Sequence, residues 1–480
     1  MSIISDLTAR RVKPVMPLLR RNLFDGTVCK SMYNVCKEFM PDSVLRALSP
    51  APKATSYNKN PPPQICYKQA GRFYAIPRYA GIAQFGPPRH DLSSLGEPMR
   101  TGVEFTGTLR DYQKAAVDTY LKNLCDKRMT GQQMVLSCGL GKTVVAIALA
   151  CQLQRRTAIL VHKDFLLQQW KERILYFAPG ARIGIVRQNR CEVEDCDFTL
   201  IMLQSLVTEG KYPRGAFDTV GFLVCDESHH IAARTFVKSV EFFPARYRLS
   251  LTATPERSDG LSQIVNWHFG PMTVNITRAS ACKRTCKRSP NKRGEREWES
   301  ASPTNGTVAV KMRTLKLALP PAKRRWDGTV LLPSVVTSLA QSAERNRAVL
   351  QEIRGLLQDP RVNLLVLSDR RAHVECLVEM VREFPFLRNP LEDVGSYVGV
   401  TSKKAKEERE KVAETARCIV STYSMASEGL DIKRLNAVVL ATPKKNVEQA
   451  IGRAMRNPDT QVKIVDFVDA GGEGILWNLA

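Results

Sequence analysis

From Leu109 onwards the chain alternates short, continuous apolar runs with segments of helical periodicity. Continuous apolar runs are typical of strands buried on both faces of a parallel sheet, and helices form the crossovers between neighbouring parallel strands. The pattern therefore predicts an α/β fold with two parallel-sheet lobes in tandem. The strands predicted for the first lobe are Met134–Ser137, Ala158–Val161, Thr199–Leu203, Phe222–Val224 and Tyr247–Leu251. Those predicted for the second lobe are Leu364–Leu367, Arg417–Val420, Ala437–Leu440 and Val462–Asp466.

The residues before Leu109 differ from the rest of the chain in composition and in hydrophobic pattern. A triple proline at Pro61–Pro63, the aromatic pair Phe73 and Tyr74, and further prolines and glycines interrupt any long periodic run. This composition predicts a small α+β accessory domain, for which DNA binding is one option. A polar stretch rich in lysine and arginine separates the two lobes and is typical of a loop. The predicted division is an accessory domain at 1–105, a first lobe at 106–275, a basic insert at 276–305 and a second lobe at 306–480.

The charge of the chain narrows the class of partner. Its 480 residues include 71 Lys and Arg against 47 Asp and Glu, which gives a net charge of +24. A surplus of this size favours a polyanionic partner, most commonly nucleic acid, although a basic protein without such a partner is the alternative. The chain has no apolar run of membrane-spanning length and no apolar core of a secretory signal near its start. The 13 cysteines are scattered through apolar runs, a distribution typical of buried, reduced thiols. We therefore expect an intracellular protein.

A glycine-containing run, Leu-Ser-Cys-Gly-Leu-Gly-Lys-Thr, occupies Leu136–Thr143 between a predicted strand and a predicted helix. Glycine lets backbone N–H groups approach a polyphosphate closely, and the start of the following helix adds its positive dipole. We expect Lys142 to bridge the β- and γ-phosphates of ATP and the Thr143 hydroxyl to hold Mg²⁺. Leu136 stands where the strict phosphate-binding motif has a glycine. The residues predicted to line the nucleotide are Ser137, Cys138, Gly139, Leu140, Gly141, Lys142 and Thr143.

Two carboxylates, Asp226 and Glu227, come directly after the apolar run Gly221–Cys225. A buried strand therefore delivers both to the sheet edge at which α/β proteins bind ligands. We expect Asp226 to hold Mg²⁺ through water and Glu227 to orient or deprotonate the water that attacks the γ-phosphate. His229 completes the sequence Asp-Glu-x-His and is predicted to couple the nucleotide to a nucleic-acid site. Two solvated acids at the end of an ordinary strand are the alternative.

Arg453 and Arg456 lie three residues apart, on one face of a predicted helix. Guanidinium groups at this spacing can neutralise charge on a γ-phosphate, and we expect them to do so across a cleft when the two lobes close. A salt-bridged surface helix is the alternative. The phosphate loop, the two acids and the paired arginines occur in this order along the chain, and together they predict hydrolysis of ATP between two lobes.

These motifs resemble those of superfamily 2 helicases of the Asp-Glu-x-His type over Leu109 to Asp466. The resemblance implies two RecA-like lobes and an ATP-driven helicase or translocase. Leu-Arg-Asp-Tyr-Gln at Leu109–Gln113 resembles the family's segment near the adenine. It implies nucleotide contacts by Arg110 and Gln113, with Gln113 as the reader of the base.

Two further segments resemble motifs that grip the nucleic-acid backbone. Ile159–Trp170 resembles motif Ia, and Leu367–Arg370 resembles motif IV. The resemblance implies that Lys163, Ser368 and Arg370 contact the nucleic acid.

The remaining motifs imply residues that couple hydrolysis to movement. Thr252-Ala253-Thr254-Pro255 resembles motif III, in which Thr252 and Thr254 would link hydrolysis to lobe movement. Ser424–Asp431 resembles motif V, which implies that Gly429 and Asp431 lie near the nucleotide. A coupling role is also implied for Gln449, at the start of the segment that carries the paired arginines.

Within this superfamily the motifs are similar to those of XPB-like DNA helicases. Compact versions with an upstream Phe-Tyr-x-x-Pro-Arg-Tyr segment, here Phe73–Tyr79, occur in large nucleocytoplasmic DNA viruses, including the poxvirus transcript-release helicase. The resemblance implies a monomeric viral DNA helicase of transcription, replication or repair, in the nucleus or cytoplasm of an infected cell or packaged in the virion. The Arg-Glu-Asp triplet associated with duplex opening in XPB proteins is absent, which argues against a repair role copied from them.

Three other functions share much of this evidence. An RNA helicase would have the same ATP-site residues. An ATP-gated protein that clamps or anneals strands without unwinding them is a second alternative, although the acids and paired arginines favour turnover. A restriction-enzyme motor subunit is a third, and it is less favoured because no nuclease-like domain follows Asp466.

Overall fold

The computed structural model describes most of the chain. The described residues are 26–54, 60–137, 139–207, 211–213, 215–228, 234–257, 259–277, 308–315, 323–324, 330–399, 402–429, 432, 434–444, 447, 450–452 and 462–469. They belong to two compact units, Met1–Lys283 and Arg284–Ala480. The division falls within the predicted basic insert, which apart from 276–277 lies outside the described residues.

A small sheet with two helices precedes the first lobe. Its strands are β1 (Thr27–Cys29), β2 (Met32–Cys36), β3 (Lys68–Ala70), β4 (Phe73–Pro77) and β5 (His90–Leu92), and its helices are α1 (Asp42–Ala47) and α2 (Arg78–Phe85). The strand order is β3-β4-β2-β1-β5, antiparallel except for the pair β1 and β5. Tyr33, Val35 and Ile76 form its buried core together with apolar residues of the helices. The expected small α+β fold is therefore present.

The first lobe is built on an eight-stranded sheet. Its strands are β6 (Gly131–Leu136), β7 (Thr157–Val161), β8 (Ile183–Arg187), β9 (Arg190–Cys191), β10 (Phe198–Met202), β11 (Phe222–Cys225), β12 (Tyr247–Thr252) and β13 (Met272–Ile276). Its helices are α3 (Asp111–Lys127), α4 (Lys142–Leu153), α5 (Asp164–Phe177), α6 (Arg234–Glu241) and α7 (Gln263–Phe269). The strand order is β13-β6-β12-β11-β7-β10-β8-β9, and all neighbours run parallel except β8 and β9.

The central strands of this sheet, β6, β12, β11 and β7, are buried along their whole length. Apolar side chains of the helices form a separate core on each face of the sheet, which explains why these strands are almost continuously apolar. All five strands predicted for this lobe are found. The strands β8, β9 and β13 were not predicted, because a glycine interrupts β8, both residues of β9 are exposed and only Val274 of β13 is buried.

The Phe-Tyr-x-x-Pro-Arg-Tyr segment joins the small sheet to the first lobe. Arg78, at the start of α2, is almost fully buried, and its guanidinium donates to the carbonyls of Lys30, Ala245 and Arg246. The hydroxyl of Tyr79 lies 3.2 Å from that of Thr130. Because one guanidinium satisfies carbonyls of both parts, this segment fixes the small sheet to the lobe.

The second unit contains a six-stranded parallel sheet. Its strands are β14 (Val308–Leu315), β15 (Leu364–Ser368), β16 (Val394–Tyr397), β17 (Cys418–Thr422), β18 (Ala437–Leu440) and β19 (Val462–Asp469), in the order β14-β19-β18-β15-β17-β16. Its helices are α8 (Leu332–Gln341), α9 (Ala343–Leu357), α10 (Arg371–Arg382), α11 (Pro390–Asp393), α12 (Lys403–Thr415) and α13 (Tyr423–Gly429). The four predicted strands are present, and β14 and β16 were not predicted.

Both units thus have the parallel-sheet architecture expected of RecA-like lobes. Within the described ranges, no helix is long and apolar enough to cross a membrane.

Candidate active site

The sheet order of the first lobe brings the predicted site residues to one edge. Strands β6, β12, β11 and β7 are parallel neighbours, so their carboxyl ends lie side by side. The phosphate loop leaves β6, Thr252 ends β12, the two acids follow β11, and Lys163 follows β7. Ligands of α/β proteins bind at such an edge, next to the ends of the strands.

The phosphate loop turns through two glycines in the left-handed region, with φ of +83° at Gly139 and +80° at Gly141. The helix α4 then begins at Lys142, so its first N–H groups face the end of the loop. The N–H of Ser137 donates to the carbonyl of Ile276 over 3.0 Å, which anchors the start of the loop to β13. Cys138 lies outside the described residues.

Gln113 connects the segment before the loop to the loop itself. Its Oε1 accepts the backbone N–H of Arg110 over 3.0 Å, and its Nε2 donates to the carbonyl of Leu140 over 2.9 Å. A Cβ added at Gly141 would lie 2.4 Å from that Nε2, so a larger residue would have to displace the Gln113 carboxamide from its two hydrogen bonds. The guanidinium of Arg110 is exposed and contacts the hydroxyl of Tyr112. Recognition of the base by Gln113 stays a prediction. The structure shows in addition that the Gln113 side chain supports the phosphate loop.

Lys142 and Glu227 form an ion pair, with 2.8 Å between Nζ and Oε1. Their side chains are only 13% and 17% exposed, so the two charges are largely shielded from solvent. Glu227 has φ of +47°, a left-handed conformation that costs a non-glycine residue about 1–2 kcal/mol. Strain of this kind is common at functional sites, where the surrounding structure enforces it.

Asp226 is buried, and both of its carboxylate oxygens accept hydrogen bonds. Oδ1 accepts the backbone N–H of Glu227 and Oδ2 accepts the indole N–H of Trp170, each over 2.9 Å. Burial and the neighbouring charge of Glu227 raise the pKa of the Asp226 carboxyl, while Lys142 and the Trp170 hydrogen bond oppose that shift. A cation placed here would therefore stabilise the ionised form.

These donors fit a hard divalent cation. The Thr143 hydroxyl at the start of α4 and the Asp226 carboxylate offer oxygen ligands, which Mg²⁺ prefers. Among the residues that the structure describes, no group of three or more His, Cys, Asp or Glu forms a metal cage. A donor set of this kind suits a cation that is bound largely by phosphates and water.

The predicted coupling residues are described in part. The hydroxyl of Thr252 donates to the carbonyl of Thr254 over 3.0 Å and accepts the Thr254 N–H over 3.1 Å, which fixes the turn after β12. Two residues before Thr252, on β12, the hydroxyl of Ser250 donates to the hydroxyl of Ser228 over 2.7 Å. His229 lies outside the described residues, so its role stays a prediction.

In the second unit, Ser368 and Arg370 are held by internal contacts. Ser368 is fully buried, and its hydroxyl accepts the Arg370 N–H and lies 3.0 Å from Nδ1 of His373. The guanidinium of Arg370 donates to Thr337, Asp369 and the carbonyl of Pro333. Ser368 thus shapes the turn that carries Arg370, and its contact with the nucleic acid stays a prediction.

Of the other predicted site residues of the second unit, only Gly429 lies in the described part of the chain. Gly429 ends α13, which follows β17. The residues that lie outside the described part are Asp431, Gln449, Arg453 and Arg456.

Known proteins share this sequence pattern. The family model "Type III restriction enzyme, res subunit" matches residues 106–257, and "Helicase conserved C-terminal domain" matches 345–458. A protein of Acanthamoeba polyphaga mimivirus, named as an ATP-dependent RNA helicase, is 30% identical over 412 residues, which are 85% of this chain and 73% of the relative. The chain is a superfamily 2 helicase. A DNA 3'-5' translocase of Sulfurisphaera tokodaii is 26% identical over 397 residues, which are 76% of this helicase and 82% of that protein.

A solved structure agrees on the fold. The helicase superposes on a fragment described as an HsdR subunit of a type I restriction enzyme from Vibrio vulnificus YJ016 with a TM-score of 0.55 and 16% identity. The match covers 81% of this chain and 68% of that chain. Membership of the family makes the helicase a nucleic-acid-dependent ATPase that uses ATP with a divalent metal ion.

Sequence reasoning assigned no function to Trp170, although it closes the segment that resembles motif Ia. A tryptophan on the apolar face of a helix is ordinarily a core residue, and its sequence position does not reveal the acceptor of its N–H. The hydrogen bond to Asp226, 56 residues away along the chain, emerges only from the packing of α5 against the sheet.

Proposed function

We propose that this helicase is a Mg²⁺-dependent DNA helicase or duplex translocase. The observation that carries the ATPase part of the proposal is the arrangement of three charged residues at one sheet edge: Asp226 is buried, and the paired side chains of Lys142 and Glu227 are largely shielded from solvent. A bound polyphosphate would replace Glu227 as the negatively charged partner of the Lys142 ammonium group. Glu227, once released, would be available to orient a water or to accept its proton.

The chain's own residues supply most of what such a reaction needs. The N–H groups after Gly139 would bind phosphate oxygens, and Thr143 and Asp226 would hold the cation. Gln113 supports the loop through its hydrogen bond to the carbonyl of Leu140. Bound Mg²⁺ would supply neutralisation of the charge that develops on the phosphates. Arg453 and Arg456 are proposed to supply the remaining positive charge.

DNA is the proposed substrate because the Sulfurisphaera tokodaii relative is named as a DNA translocase and the net charge of +24 suits a long polyanion. RNA is the second candidate, favoured by the name of the mimivirus relative. We further propose a role in viral transcription or replication inside the infected cell, supported by the mimivirus relative, and we expect the helicase to act as a monomer.

The deciding experiment compares ATPase stimulation by single-stranded DNA, duplex DNA and RNA at one salt concentration. Stimulation by either DNA that exceeds that by RNA about tenfold or more supports the proposal. Stimulation by RNA alone would transfer the assignment to an RNA helicase. Glu227→Gln serves as the inactive control because it keeps the shape of the site.

A strand-displacement assay separates a motor from an ATP-gated clamp. A motor displaces a labelled strand or a bound streptavidin block with ATP and fails to do so with a non-hydrolysable analogue. Retention of DNA with the analogue, without displacement under ATP, would instead support the clamp.

A further inference from the structure

Trp170 makes an uncommon use of its indole nitrogen. The ring is almost fully buried on α5, and its N–H donates to a carboxylate oxygen of Asp226 over 2.9 Å. An indole N–H is only a donor, so a buried tryptophan needs an acceptor. Here the acceptor is the carboxylate proposed to hold the metal ion, and a hydrogen bond to a charged acceptor is stronger than a neutral one.

The same helix begins beside the proposed nucleic-acid contact. Lys163 immediately precedes α5, in extended backbone that leaves the end of β7. Lys163 and Trp170 are seven residues apart, which in a helix is about two turns, so they lie near one face and about 10 Å apart along the axis. A shift of α5 caused by contact at its first turn would therefore reach the indole.

We propose that Trp170 is a positioning residue through which α5 sets the carboxylate of Asp226 when nucleic acid binds. This inference rests on the proposed function, in which Asp226 holds Mg²⁺ and Lys163 contacts the nucleic-acid backbone. The N–H of Glu227 fixes one carboxylate oxygen from the end of β11, and Trp170 fixes the other from α5. Movement of α5 relative to the sheet consequently turns or releases the carboxylate.

The hydrogen bond can be tested apart from the packing of the ring. The ring of Trp170 belongs to the apolar core of the first lobe, so its truncation would also remove packing. Site-specific replacement of Trp170 by 3-benzothienylalanine puts sulfur in place of the N–H and keeps the shape of the ring. Trp170→Phe is the simpler companion variant.

For both variants we expect the Mg²⁺ concentration at half-maximal ATPase to rise about tenfold, the lower end of the effect of removing a group that orients a metal ligand. Stimulation by single-stranded DNA should fall about tenfold, whereas DNA affinity without nucleotide should change by less than about twofold. The rise in Tm produced by ADP with Mg²⁺ should shrink, and this readout needs no turnover.

Trp267→Phe on α7 is the matched control and should retain the unmutated values, because Trp267 is a half-buried tryptophan of the same unit on another helix. A benzothienylalanine variant with unmutated Mg²⁺ dependence and full stimulation by DNA would overturn the inference. Asp226→Asn distinguishes the two proposals. If it is inactive while the benzothienylalanine variant is normal, only the role of Trp170 fails; if it retains full ATPase activity, the proposed function fails first.

Discussion

At the scale of the residue, the Lys142–Glu227 ion pair joins the residue proposed to bind phosphate to the proposed base. Substitution of each residue should separate nucleotide binding from hydrolysis. Lys142→Ala removes the positive charge nearest the phosphates, so nucleotide affinity should fall together with hydrolysis. Glu227→Gln keeps size and hydrogen bonding but removes the base, so nucleotide should still bind while turnover falls about 10²-fold or more. Fluorescent-nucleotide binding and steady-state ATPase rates measure the two effects.

The surface carboxylate Glu192, which pairs with Arg190, provides a matched control for the charge change. Glu192→Gln should leave nucleotide binding and turnover unchanged. Unmutated turnover by Glu227→Gln would show that Glu227 is not the base.

At the scale of the element, the connection from β6 to α4 depends on the conformation of Gly141. Its φ is +80°, and an added Cβ would lie 2.4 Å from the Gln113 carboxamide. Gly141→Ala should therefore distort the loop and weaken nucleotide binding by about tenfold, since a left-handed alanine costs about 1–2 kcal/mol before the clash is counted. Nucleotide titration and thermal unfolding would measure these changes.

Gly355 supplies the opposite case, because it lies within α9 and a Cβ there meets nothing within 4 Å. Gly355→Ala should raise the free energy of unfolding of its unit by about 0.5–1 kcal/mol through higher helix propensity. Equal effects of the two alanine substitutions would contradict the assigned geometry of the loop.

Prediction of the elements succeeded where strands are buried on both faces. β7 and β11 carry unbroken apolar runs and were found almost to the residue. β13 and β14 expose most of their side chains at the edges of their sheets, so periodicity carries little signal there. Pairing with the neighbouring strand, rather than apolar content, makes these segments strands.

At the scale of the whole molecule, two buried histidines should make both units sensitive to acid. Burial, with the nearby charge of Arg248, lowers the pKa of His268 to about 3; burial, with Arg345, lowers the pKa of His373 to about 4. Both rings are neutral in the folded state and accept protons near pH 6.5 when unfolded. Their contribution to stability is thus present above pH 6.5 and lost as the pH falls towards 4 and 3.

Each histidine should add a slope of up to about 1.4 kcal/mol per pH unit in that window. Urea unfolding between pH 7.5 and 4.5 would measure it. A free energy of unfolding that does not fall between pH 6.5 and 4.5 would contradict this prediction.

The net charge of +24 leads to a prediction about DNA binding. If the surplus follows a phosphate backbone, affinity should fall steeply with salt and depend little on base sequence. Deletion of 281–305 should weaken binding and leave basal ATPase nearly intact. Titrations with unrelated DNA sequences at several salt concentrations test both points, and a preference of about 10³-fold for one sequence would favour a sequence-specific binder.

The sequence by itself determined the chemistry of the site and the order of its parts. The glycines before Lys142, and the two acids after an apolar run, carry information within a few neighbouring residues, and local conformation is what such patterns encode. The tertiary structure decided which distant groups meet. The order of the strands places β12 between β6 and β11, the packing of α5 brings Trp170 to Asp226, and the insertion of Arg78 fixes the small sheet to the lobe. Such contacts arise from the packing of whole elements, and the residues concerned therefore look like ordinary core positions in the sequence.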